Sequence, residues 1–494
     1  MTPLVTLTSF ARETIEEILS HIDLRIDLIN FACTSRIAAS HVIPRHLEYR
    51  VLKIGSTAPT LWAHLAFRPD LALNVRAVAF TSRTNPGDLA LERVPTSFAS
   101  EPGSRFRMPQ MSIQDLQIYR EKQLSNMIQA FRSMKNLKIF MIKCQDDLDT
   151  PGLLSEQHTL DLLLAILGNK PNLKQLGLCH HFDREDNLCD VGKLASVDLN
   201  LSCLSLAFSV WHYHHSERAL INVHSWVLRS NLVFLNLSRI EVDDSFGHLV
   251  IPSLKSFVIF VGADIQPIIC AFLEKNPSIE GLNWSPQADA LELAPGVLPN
   301  LKRLRGTAGL LNAFEAAYLA AQTPVKYKIE VLTIWFLKLE NLLNVHCLDR
   351  TSLRQIAAGE QMKDMFEVLH RIANNFPSIE VLRLQGWAFQ ELPLEQWYDL
   401  LPQFTNLQAV PCMPISNGID DQDTEVVKEV VMRLGRSCPK LKTLPGFPPT
   451  RRRKDLRTEL TRRVVNGEEH IEYKVREVPS PKTFDVYGDI WVAD

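Results

Sequence analysis

The chain has 494 residues, 46% of them apolar and 22% charged, with a formal net charge of −3. That is more chain than one compact core usually holds, and the apolar content excludes wholesale disorder; two or more modules, or one elongated array, are expected. The near balance of 53 basic and 56 acidic side chains gives no general affinity for nucleic acid or an anionic membrane.

Nine cysteines are scattered without a CxxC: Cys33, Cys144, Cys179, Cys189, Cys203, Cys270, Cys347, Cys412 and Cys438. They read as reduced thiols of a cytoplasmic and/or nuclear protein. The N-terminus has no basic segment followed by an apolar one, so no signal peptide is expected. The most apolar stretch, SFVIFVGADIQPIICAF, is broken by Asp264 and Pro267, and no segment reaches the roughly 20 apolar residues that span a bilayer.

The first predicted elements are helical. Ile15, Ile18, Leu19 and Ile22 have the spacing of one helix face. Thr14 and Glu17 stand at capping-box spacing. Asp27 is placed to cap a second helix, with Leu28, Phe31 and Ala32 on its apolar side. A third runs from about Arg36 to His41, and Pro44 then resets the backbone. So small a core gains by docking on a partner or on the next domain.

Phe10, Glu13, Ile15, Ile18, Ile22, Asp27, Leu28, Phe31, Cys33, Ser35 and Arg36 fall on a known pattern, and residues 8–52 resemble an F-box, in the form found in fungal F-box proteins. Ala11 stands where that family has proline, and Ile37–Ala38 where it has an aromatic residue. The resemblance implies a segment that binds the Skp-type adaptor and, through it, the cullin of an SCF (Skp, cullin, F-box) ubiquitin ligase. It implies Phe10, Glu13, Ile15, Ile18, Ile22, Leu28 and Phe31 as the adaptor-binding residues. On the residues alone, a helical cap over the first repeat's open core is the alternative.

From Val75 onward a template recurs: apolar, two free, apolar, one free, apolar. The strings NLKQLGL, NLVFLNL, SLKSFVI, SIEGLNW, NLKRLRG, KIEVLTI and SIEVLRL carry it, anchored at Leu173, Leu232, Leu254, Ile279, Leu301, Ile329 and Ile379. It fits more loosely at Val75, Leu137, Leu201, Leu407 and Leu441. The long gap after Val75 leaves room for an insertion, and residues 81–112, rich in Pro, Ser, Gly and Arg, read as a mobile loop. Several templates follow an apolar helical pattern that ends in proline, as in MFEVLHRIANNFPSIEVL, so the repeating unit is helix, tight turn, short strand. The template resembles that of irregular leucine-rich repeats. Cys179 sits near the place where regular repeats carry a closing asparagine or cysteine; most repeats here have nothing similar. The resemblance implies parallel strands on the concave wall of a solenoid that binds a protein.

The expected fold class is therefore α/β. A three-helix F-box-like module covers 8–52, a leucine-rich-repeat-like solenoid 53–446, and a C-terminal basic segment, hairpin and cap 447–494. Side chains alternate along a strand, so positions four and six after each anchor face outward. Among these, Phe260, Arg305, Trp335 and Arg383 are the residue types that anchor interfaces and are the candidates for binding an unknown target protein. Burial of Phe260 and Trp335 under loops or helices is the alternative.

No GxSxG, GxxxxGK[ST], GxGxxG or HExxH occurs, and neither an enzyme nor a cofactor is expected. Cys179, His180, His181, Asp183, Cys189, His212, His214 and His215 offer zinc ligands but lack the close spacing of a structural site, so a solvated loop is favoured. Arg451–Lys454 opens a basic run that reads as a nuclear-import signal, an anion patch or, more simply, a solvated face. RRVVNGEEHIEYKV reads as a hairpin turning at Asn466–Gly467, and the end TFDVYGDIWVAD is apolar enough to dock back on the body.

Overall fold

In the computed structural model, all twelve template anchors are at most 1% exposed. Each begins a strand or leads into one, and the strand alternates core-facing and outward side chains. The structure describes residues 10–22, 25–43, 45–54, 59–80, 95, 113–143, 164–168, 172–181, 200–209, 230–238, 242–260, 262–286, 291–335, 342–359, 365–384, 393–412, 424–445, 455–465 and 468–478. The chain divides into two units between Leu254 and Lys255.

The first unit opens with four helices: α1 (Arg12–His21), α2 (Arg25–Ala32), α3 (Arg36–Val42) and α4 (Arg45–Glu48). Six strands follow: β1 (Val51–Ile54), β2 (Ala77–Phe80), β3 (Ile139–Lys143), β4 (Gln175–His181), β5 (Cys203–Ser209) and β6 (Phe234–Ser238). They pair in parallel, each with the next in sequence. Between the first strands, Trp62 of α5 (Pro59–Phe67) lies 5.5 Å from Phe80 and 5.3 Å from Phe131, while Phe140 meets both Phe80 and Phe131. This aromatic cluster is the core under β2 and β3, and rings at such distances add to plain area burial.

The second unit holds β7 (Ser256–Phe260), β8 (Gly281–Trp284), β9 (Arg303–Thr307), β10 (Val331–Trp335), β11 (Gln355–Gly359), β12 (Val381–Leu384), β13 (Ala409–Cys412) and β14 (Thr443–Pro445), all parallel neighbours. The helix read from MFEVLHRIANNFPSIEVL appears at Met365–Asn375, and helices at Gln266–Lys275 and Thr424–Ser437 stand in the same place ahead of their strands. A hairpin, β15 (Asp455–Val465) and β16 (Glu468–Val478), then adds to β14 in antiparallel fashion.

One backbone device carries the repetition. The residue just before each strand donates its N–H to the carbonyl of its counterpart one repeat earlier. In the first unit the series is Arg76 to Arg50, Lys138 to Arg76, Lys174 to Lys138, Ser202 to Lys174 and Val233 to Ser202, at 2.7–2.9 Å. In the second unit it runs Glu280 to Lys255, then through Lys302, Glu330, Arg354, Glu380, Gln408 and Lys442, over the same range of distances. The residue before the anchor ties the turns together. Asn136, Asn300 and Asn406 donate through Nδ2 to the carbonyls of Leu73, Pro277 and Pro377, and Ser253 and Ser352 donate to those of Leu232 and Ile329. Each repeat thus satisfies backbone groups of the one before it, as a stacked array requires.

Two repeats escape the sequence template. Tyr49 and Leu52 start one at β1, so the sheet begins inside the segment assigned to the front module. Leu353 and Ile356 start another at β11, within the long interval between Ile329 and Ile379. Its sequence has Ala358 in the template's third place, where the other strings carry a larger side chain or glycine, so the string does not register. Gly306 takes the same position on β9. A Cβ there would stand 2.2 Å from the Trp284 carbonyl oxygen and 2.7 Å from Leu310 Cδ2, so the fully buried Trp284 beside it requires glycine.

The hairpin closes the second unit. Leu460 and Ile471 are buried, and a Cβ on Gly435 would meet Ile471 at 3.2 Å. Arg462 donates to three carbonyls at the end of the helix Thr424–Ser437 and beyond: Leu441 at 2.6 Å, Gly435 at 2.7 Å and Cys438 at 2.9 Å. That caps orphan helix acceptors. The outer side carries ion pairs, Arg476 with Glu459 at 2.9 Å and Arg463 with Glu472 at 3.7 Å. The predicted turn at 466–467, the loop 81–112 apart from Pro95, the basic residues 451–454 and the C-terminal segment from 479 lie outside the described residues.

Candidate functional site

The front helices build a core of their own. Ile15, Leu19, Leu28, Ala32 and Val42 are buried together, with Ile22, Phe31, Ala39 and Leu47 packed against them. The stripe read from the sequence therefore splits. Ile15 and Leu28 are core side chains at 3% and 0% exposure, Ile22 and Phe31 are part-buried, and Ile18, Phe10 and Glu13 are exposed. Two local expectations change. α1 starts at Arg12 after Ala11 with no side-chain cap, so Thr14 and Glu17 lie within the helix and form no capping box. Asp27 sits in the first turn of α2 rather than before it, where a carboxylate still favours the helix dipole. Ser35 caps α3, accepting from the Ala38 N–H at 3.0 Å.

This small module leaves large apolar groups outside its core. Phe10, Ile18, Ile26, Ile37 and Ile43 are all at least 39% exposed. Fifteen large apolar side chains are exposed among the described residues, and these five lie within residues 10–43. A third of that exposed set therefore falls within this short stretch of the chain.

A buried polar link joins α1 to α4. His46, 2% exposed, bonds Glu16 through Nε2 at 2.9 Å, and Arg45 approaches Glu16 at 3.5 Å. Burial pushes the His46 imidazole below its ordinary value of 6.5, against the pull of Glu16, and Arg50 and Arg76 push it the same way. A neutral ring donating its Nε2–H to the carboxylate fits that direction.

The outward sheet positions differ between the units. In the first, Ala79, Met141, Gly177, Ser205 and Asn236 form one row by register, and all are buried. Asn236 is 0% exposed and donates to Ser205 Oγ at 2.9 Å, and Ser238 donates to Asn236 Oδ1 at 3.1 Å. In the second unit the corresponding row is Val258, Asn283, Arg305, Thr333, Ala357 and Arg383. Val258 and Asn283 are buried; from Arg305 onward the row is half-open. Of the four candidates from the sequence, Arg305 and Arg383 share this row and Phe260 ends β7 half-buried. Trp335 ends β10, and its side chain lies outside the described residues. Sequence reasoning missed Arg303, which stands outward two residues before Arg305 and is exposed. Its guanidinium lies over Gly281, where a Cβ would be 3.3 Å from Nε and Nη2.

Cys179, His180 and His181 end β4 with side chains outside the described residues, as are Asp183, Cys189, His212, His214 and His215. Among the described residues no group of three His, Cys, Asp or Glu is placed to hold a metal ion, and no helix is long and apolar enough to cross a membrane.

No protein-family model matches the chain, and no curated protein does. Among solved structures it is similar to the yeast Rad7–Elc1 complex, with 14% identity over 87% of this chain and 88% of that one, at a TM-score of 0.40. It is also similar to the leucine-rich repeat-containing protein LegL7 of Legionella pneumophila, with 12% identity over 79% of this chain and 100% of that one, at a TM-score of 0.34. Likeness this slight transfers neither partner nor activity. The chain's own register, one parallel strand per repeat with each repeat's backbone bonded to the one before, makes each unit leucine-rich-repeat-like.

Proposed function

We propose that the protein is a non-catalytic substrate receptor of an SCF-type ubiquitin ligase, working in the cytoplasm and/or nucleus. α1–α4 dock on a Skp-type adaptor, the adaptor joins a cullin, and the repeats hold the target protein. The observation that carries the reading is the division of labour within the front module. One set of apolar side chains makes its core, and a second set, Phe10, Ile18, Ile26, Ile37 and Ile43, stands in solvent. A helical cap needs only the first set. The second gains nothing in the free chain and is suited to burial on a partner. Glu13, exposed on α1, is placed for a polar contact at the rim.

A second reading rests on the Glu16–His46 link and on Leu47, which packs against the module core just before β1. Both suit a module whose task is to cover the first repeat, leaving the protein a binding scaffold without a ligase. Size-exclusion chromatography of the full chain with a Skp-type adaptor, then with a cullin added, separates the two. The receptor reading expects co-elution of two and then three components. Elution of the full chain alone at micromolar concentrations would leave the scaffold.

A further inference from the structure

We propose that the open face of β9–β12 takes an extended acidic segment of the target, with its carboxylates on Arg303, Arg305 and Arg383. This rests on the reading that the repeats hold a target protein, and adds the chemistry of what they hold.

Charge and register carry the inference. From β7 to β14 the outward strand positions include three arginines and no carboxylate. Arg305 and Arg383 are aligned in one row through Thr333 and Ala357, and Arg303 lies in the adjacent row beside Val331, Gln355 and Val381. The residues between are small or uncharged, so a peptide backbone can approach the sheet. Nε of Arg383 is buried and meets no acceptor among the described residues, nor does Oδ1 of the buried Asn283 meet a donor. A buried guanidinium N–H without an acceptor is unfavourable, and a carboxylate supplies a charge-assisted one.

The spacing selects the kind of anion. β9 and β12 are three strand steps apart, about 14 Å at the usual inter-strand distance. Arg303 and Arg305 lie two residues apart on one strand, about 7 Å. A single phosphate is too small to meet all three guanidinium groups at once, whereas carboxylates spaced along a chain are not so limited. An extended chain advances about 3.4 Å per residue, so carboxylates about four residues apart reach Arg305 and Arg383 together. A segment crossing the strands with acidic residues at that interval fits the row.

The test is fluorescence anisotropy on the full chain, with a labelled peptide of serine and glycine carrying glutamate at every fourth position. Its controls are the same peptide with glutamine, one with a single phosphoserine, and a single-stranded RNA. The glutamate peptide should bind in a salt-sensitive way, and the glutamine peptide at least about tenfold more weakly. The double variant Arg305→Gln/Arg383→Gln should weaken the glutamate peptide by about tenfold or more. If that variant melts early, Arg303→Gln, at an exposed position, should still weaken binding several-fold. Equal binding of the glutamate and glutamine peptides would overturn the inference. So would a folded double variant with unchanged affinity, or preference for the phosphoserine peptide or the RNA. Adaptor capture measured on the same preparations keeps the two proposals apart. Capture without peptide binding removes only this inference; peptide binding without capture removes only the ligase reading.

Discussion

The front module and the C-terminal hairpin each stand at one end of a run of parallel strands, yet they are finished differently. The hairpin turns Leu460 and Ile471 inward, caps helix carbonyls with Arg462 and lays cross-strand ion pairs on its outer side. Among the described residues its exposed large apolar side chains are Val464 and Val475. This is how a repeat array ends when its last face meets water. The front module buries a comparable core but leaves one phenylalanine and four isoleucines in solvent. An end built only to cover the first repeat would resemble the hairpin. Burial and exposure divide even within one short helix, with Ile15 and Leu19 inward on α1 and Ile18 outward; on the proposed reading the outward set is what meets the adaptor.

The largest expected effect tests whether the module's core is its own. Leu28→Ala removes a fully buried side chain and should destabilise the module by about 2–5 kcal/mol, enough to unfold so small a unit. Hydrogen exchange should then show α1–α3 open while β7–β14 stay protected. Loss of protection throughout the chain would mean that the module is not a separate folding element.

At the other end, Arg462→Ala strips donors from the carbonyls of Leu441, Gly435 and Cys438. Leaving such acceptors unmet should destabilise the hairpin and its helix by about 1–3 kcal/mol. Limited proteolysis should cut near β15 and β16 first. An unchanged cleavage pattern would contradict the capping role.

A smaller effect is expected from pH. His46 has its folded value held below the ordinary 6.5 by burial, so the unfolded chain binds the proton more readily. The contribution to stability is complete above about pH 6.5 and falls as pH drops toward the lowered folded value. α1 should therefore loosen from α4 in mild acid, seen as faster exchange of α1 amides. The hairpin should not respond over the same range. In His46→Gln the acid response of α1 should disappear; a response that persists would place the titrating group elsewhere.

Much of this was legible in the sequence because it depends on local pattern. The twelve anchors, the helices ending in proline and the hairpin all follow from periodicity and breakers. The repeat at β11 was hidden because the template's third place there holds only alanine, Ala358. That at β1 was hidden because Tyr49 falls within the stretch taken for the front module. Burial of Ile15 against exposure of Ile18 was not legible either. Both lie on one apolar stripe of α1, and only the docking of α2 and α3 decides which is covered. The outward arginines follow from counting two residues at a time along each strand. What the sequence could not reveal is that the matching row of the first unit, from Ala79 to Asn236, is closed to solvent whereas the row from Arg305 to Arg383 is half-open. That contrast is tertiary.

On the proposed reading, the exposed apolar set of the front module, and not its core, meets the adaptor. The most direct test is capture of a Skp-type adaptor by the full chain and by Ile18→Asp/Ile37→Asp, with circular dichroism and melting on both. Both positions are exposed, so the variant should fold and melt like the parent while capture falls by at least about a hundredfold in affinity, as loss of two buried anchors implies. A folded variant that still captures the adaptor at parental affinity would contradict the claim.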